Sequence, residues 1–205
     1  MIFNRRFFTV FIAFVFFMAV FPSCTAEATV EQKGDGSVSI TFNGATGAAF
    51  TKMISAAVGE AEGDVFDVKA INYEMAKAGF TKVKVKSANG TDVNITMDDE
   101  KQKTFLFTSG VLKMNGKQLE LSLTRDSVLK FYKQADEQIV SILDLLLAPV
   151  FNDEVMTVQE YLETVGAFYG DAAAKELESS VLKVTLITPA GKKQVNVPFV
   201  EILTL

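Results

Sequence analysis

Few side chains in this sequence can do chemistry, and their types set firm limits. Among 205 residues there is one cysteine, Cys24, and no histidine or tryptophan. Without histidine, Ser-His-Asp and Cys-His catalysis, imidazole acid–base work and the usual zinc sites are unavailable. Cys24 closes an apolar leader. There it is either modified or cut away, so the mature chain offers no disulfide and no thiolate nucleophile. Carboxylate, lysine, hydroxyl and backbone chemistry remain.

Ser127 and Lys130 stand in an S-x-x-K spacing at a predicted helix start, where a lysine can activate a serine. Enzymes of the penicillin-binding type combine that element with S-D-N and K-T-G. Neither tripeptide occurs here, and a helix cap accounts for Ser127. Acidic residues crowd two loops: Glu60, Glu62 and Asp64 in one, Asp98, Asp99 and Glu100 in the other. Oxygen-rich loops bind calcium, which makes Glu60, Glu62 and Asp64 the candidate metal ligands. Gly63 falls at the wrong offset for an EF-hand, and solvated turn charge is the simpler reading. A glycosidase-type carboxylate pair needs a fixed separation across a cleft, and no spacing in the chain marks one. No cofactor motif is present, and no cofactor is expected.

The leader is more specific. Asn4-Arg5-Arg6 gives it a positive start, residues 7–21 are apolar apart from Thr9, and Pro22-Ser23 precede Cys24. These are the three parts of an export signal. The apolar run of about 15 residues falls short of the roughly 20 that cross a bilayer as a helix. With Ser23 directly before Cys24, the segment resembles the signal of a bacterial lipoprotein. The resemblance covers two dozen residues. It implies cleavage before Cys24, a lipid such as palmitate on the new terminus, and anchorage in the cell envelope facing the periplasm or cell surface. A second cut is open, because Ala26-Glu27-Ala28 has the A-x-A form of an ordinary signal peptidase site. That cut discards Cys24 and leaves a secreted or periplasmic soluble protein. Arg5-Arg6-Phe7-Phe8 half-matches a twin-arginine signal, but the very apolar middle favours the ordinary route.

Losing Arg5 and Arg6 with the leader takes the formal charge from −5 to −7. A mildly acidic chain without a basic stripe argues against nucleic acid as partner. The expected organisation is a signal over residues 1–23, a polar tether over 24–36 and a single domain over 37–205.

Short strands and helices must position these residues. Residues 25–36 are polar and glycine-punctuated, which suits a tether. Val38, Ile40 and Phe42 alternate as a strand. Phe50 and Met53 fall at helical spacing, and the next helix carries Val68, Ile71 and Met75 before Gly79. Strands over 80–86 and 93–97 flank Asn89-Gly90, the preferred two-residue hairpin turn. Residues 104–108 and 111–114 look like strand, and Asn115-Gly116 turns the chain into Leu119 and Leu121. Thr124 or Asp126 opens a long helix to about Leu147, ended by Pro149. Thr157 and Glu160 form a capping box for a helix that stops at Gly170. A short helix over 171–178 and a hairpin of 181–188 with 194–203 complete the chain. The pattern predicts an α+β fold: a mainly antiparallel sheet built from hairpins, with helices packed on one face.

Residues 139–151 are the most apolar stretch beyond the leader. A helix apolar almost all round is buried in a core or lines a hydrophobic site. Ile139, Ile142, Leu143 and Leu146 are therefore the candidate contacts for a lipid-like ligand. The expected function is a membrane-anchored, non-enzymatic envelope lipoprotein, an interaction or structural module partnered by the membrane and other envelope proteins. A carrier for a hydrophobic ligand is the alternative, and a carboxylate-dependent hydrolase comes third.

Overall fold

A computed structural model describes residues 26–58, 66–116, 118–133 and 156–205. In chain order these hold β1 Ala26–Gln32, β2 Val38–Ala45, α1 Ala48–Val58, α2 Val68–Lys77, β3 Thr81–Lys86 and β4 Asp92–Asp99. There follow α3 Phe105–Thr108, β5 Leu112–Asn115, β6 Gln118–Leu121 and α4 Arg125–Tyr132. The last elements are α5 Val158–Tyr169, α6 Asp171–Glu178, β7 Val181–Thr188, β8 Gly191–Pro198 and α7 Phe199–Leu203. Six strands form one sheet in the order β3-β4-β2-β1-β7-β8, and β5 pairs with β6 apart from it. The β1–β7 pair is parallel, and the other pairs in both sheets are antiparallel. The fold is α+β with a mainly antiparallel sheet, as the hairpin pattern predicts.

Side-chain alternation gives the large sheet two unlike faces. Val38, Ile40 and Phe42 of β2 point to the same face as Val93, Ile95 and Met97 of β4, and all six are buried. Val30 of β1 and Leu182 and Val184 of β7 continue that face. Helix residues close over it: Phe50, Ile71, Met75, Tyr161, Val165, Leu177, Phe199 and Leu203 belong to the same core. Burying side chains of this size stabilises by about 1.5–3 kcal/mol each. Lysines mark both edges, Lys82, Lys84 and Lys86 on β3 and Lys192 and Lys193 on β8. Charge there blunts edge-to-edge pairing with other chains.

Several local expectations need correction. Residues 25–36 are not only a tether, because residues 26–32 form β1, between β2 and β7 near the middle of the sheet. Its inward residues are Ala26, Ala28, Val30 and Gln32, small or polar enough to hide the alternation. Residues 104–108 contain the helical turn α3 rather than a strand. Asp99 holds Thr104 there, accepting from its N–H at 3.1 Å and its hydroxyl at 2.6 Å. The Asn89-Gly90 turn belongs to a longer loop over residues 87–91. Asp92 Oδ1 gathers the N–H groups of Ala88 and Asn89 at 2.9 and 3.1 Å, which stabilises that wider form. The last strand stops at Pro198, and Phe199, Val200, Ile202 and Leu203 bury the inward face of α7 instead. The capping box appears as expected: Thr157 N–H donates to Glu160 Oε2 at 2.8 Å, and Glu160 N–H to Thr157 Oγ1 at 3.2 Å. Gly170, at φ 90°, separates α5 from α6 in a conformation that favours glycine.

Candidate functional site

Cys24, the acidic trio Glu60, Glu62 and Asp64, and the apolar set Ile139, Ile142, Leu143 and Leu146 all lie outside the described residues. So does most of the long helix expected to reach Leu147; its described beginning is α4. Ser127 is described, at 3% exposure. Its Oγ donates to Thr124 O at 2.8 Å and accepts from Thr124 N–H at 3.0 Å. Ser127 N–H returns a bond to Thr124 Oγ1 at 3.2 Å. This reciprocal pattern is a helix cap, and it occupies the hydroxyl that an S-x-x-K nucleophile would need free.

The second acidic loop also serves the fold. Asp98, 4% exposed, receives Lys33 Nζ at 2.8 Å and Lys82 Nζ at 3.1 Å on the same oxygen. Burial alone would raise its pKa, but the bonds from Lys33, Ser39 and Lys82 outweigh burial and hold the carboxyl below the usual range. Lys82 also meets Glu100 at 3.1 Å, and its own pKa is raised by these carboxylates. Lys82 stands at φ 53°, inside the register shift between Thr81 and Lys84. Backbone bonds from Ala88 and Asn89 lower Asp92. Glu176 of α6 works differently. Its Oε2 accepts from Ala49 N–H at 3.0 Å, capping α1 from across the fold. Desolvation raises its pKa against these bonds, and Oε1 has no hydrogen-bond partner among the described residues.

The sheet face opposite the core is polar. Strand register aligns Lys84, Thr96, Thr41, Thr29, Thr185 and Gln194 in one row across all six strands. Neighbouring strands lie about 4.8 Å apart, so the four threonines make a hydroxyl ladder. A second row runs Lys86, Asn94, Asn43, Glu27, Lys183 and Asn196. Within it, Asn94 donates to Asn43, and Lys183 pairs with Glu27 at 2.8 Å. Thr29, Thr41 and Thr96 are half-buried, while Thr185 is 6% exposed. Threonine suits strands for its β-branched shape, so the ladder also serves the sheet itself. Its donors and acceptors are partly accessible at Thr29, Thr41 and Thr96. Its four threonines come from distant parts of the chain and align only through β1 and the strand order.

One groove lies between α5 and α6, about 790 Å³ in volume. Leu162 and Ala174 give it an apolar floor, but Glu163, Asp171, Lys175 and Glu178 surround them. Val158 and Ala167 add to the apolar part, so the lining is mixed. Among the described residues no cluster of three potential ligands forms a metal site, and no helix is long and apolar enough to cross a membrane.

No family model, curated protein or solved structure matches the chain. The functional reading therefore stands on residues and geometry.

Proposed function

We propose that this is a bacterial envelope lipoprotein, anchored through Cys24, that acts without catalysis as an interaction or structural module. The polar face of the six-stranded sheet carries the reading. The strand residues of the core all lie on the opposite face. What remains is a wide array of hydroxyl, amide and paired charged groups, suited to contact with a polar partner surface. Among the described residues, several acids are engaged in the fold: Asp98 in a lysine clamp, Asp99 and Asp92 in loop closure, Glu176 in capping. The leader of residues 1–24 supplies the anchor and the envelope location.

Metabolic labelling with an alkyne-bearing palmitate tests the anchor. The full chain, expressed in a bacterium, is expected to take up the label and sediment with membranes, and Cys24→Ala to take up no label. An unlabelled wild type in the soluble fraction would sink the proposal, as would a normally processed Cys24→Ala chain that still sediments with membranes.

A further inference from the structure

The position of β1 bears on where the leader is removed and on how the domain then sits. Ala26, Glu27 and Ala28, the residues of the A-x-A site, are the first three residues of β1. Ala26 pairs with Leu182, Glu27 with Asn43 and Lys183, and Ala28 with Phe42 and Val184. Ala26 is 1% exposed, and Glu27 carries the cross-strand ion pair to Lys183 at 2.8 Å. A cut after Ala28 removes nearly half of a strand that has neighbours on both sides. It also leaves a charged amine on Thr29, in the middle of the sheet between β2 and β7.

We propose that the cut lies upstream of Ala26, keeping β1 whole, and that the lipid on Cys24 then holds the sheet end-on against the membrane. The anchoring half rests on the lipoprotein reading; the position of the cut rests on β1. One residue, Thr25, separates Cys24 from Ala26, two chain steps with a reach of about 7 Å at most. The start of β1 therefore lies close to the lipid surface without a spacer. Strand directions fix what else lies at that end: the loop over residues 87–91, Thr46, Ser180 and Pro198. Six residue steps along β1, about 20 Å away, lie the Lys33–Asp98–Lys82 clamp and the turn at Pro189-Ala190. The polar face then stands upright on the membrane.

The full chain, isolated from its membrane, gives the mature terminus by intact mass and N-terminal sequencing. A terminus at Cys24 is expected. A folded chain starting at Thr29, or one never cut, overturns the cut position. A terminus at Cys24 without lipid mass leaves that position standing and removes the lipoprotein reading instead. Orientation is read from Ala88→Cys and Ala190→Cys, exposed alanines at opposite ends, spin-labelled in full-length protein reconstituted into phosphatidylcholine vesicles. A nickel chelate on the lipid headgroups is expected to relax the label at 88 several-fold more strongly than that at 190. Equal relaxation at the two positions overturns end-on anchoring.

Discussion

Asp98 shows how a carboxylate in an acidic run becomes structural. It is nearly buried, and a single oxygen takes both lysine ammonium groups. Hydrogen bonds to an ionised group contribute about 1.5–3 kcal/mol, reduced here because Lys33 and Lys82 are partly solvated and screened. Asp98→Asn is therefore expected to lower unfolding free energy by about 1–3 kcal/mol at pH 7 in urea titration. The pH dependence has a definite sign. Its folded pKa lies below the unfolded value. The contribution is fully present above the unfolded carboxylate pKa, about 4, and fades as pH falls through the folded value. The gap between wild type and variant should narrow as pH falls below the unfolded carboxylate pKa. A gap that stays constant through that fall would show that Asp98 acts through packing rather than charge.

At the scale of elements, the register shift in β3 depends on Lys82 in a left-handed backbone conformation. An L-residue there costs about 1–2 kcal/mol, which the clamp on Asp98 and Glu100 offsets. Lys82→Ala and Lys82→Gly both remove the ion pairs, but only glycine relieves the backbone. Lys82→Gly is expected to be about 0.5–1 kcal/mol more stable than Lys82→Ala by chemical denaturation. Equal stabilities would mean that the strand relaxes to another register once the lysine is gone. Elements governed by neighbouring residues were legible in the sequence. The Thr157–Glu160 box and the Gly170 break involve contacts within four positions, so residue order alone specifies them. β1 was not legible. Ala26 and Ala28 are inward yet weakly apolar, and its partners lie in β2 and in the far β7. The same remoteness concealed the threonine ladder, since Thr29 and Thr185 become neighbours only through the parallel pairing. In α3, Phe105 and Phe107 alternate like a strand, whereas Asp99 settles the turn from five residues upstream.

For the whole molecule, Phe42 is the natural probe of cooperativity. It is fully buried on β2, opposite Ala28 on one side and Ile95 on the other. Phe42→Ala is expected to cost about 3–5 kcal/mol, shifting the denaturant midpoint while leaving the slope unchanged. A changed slope would mean that the two halves of the sheet unfold separately. Those halves meet at the parallel β1–β7 pair, where Glu27 and Lys183 touch across 156 positions of sequence. Contacts this remote make folding slow, because a long loop must close before the pairing is rewarded. Until β7 and β8 are available, β1 has one bare edge and the sheet cannot be completed. A chain leaving the ribosome therefore carries an incomplete sheet until its last hairpin emerges.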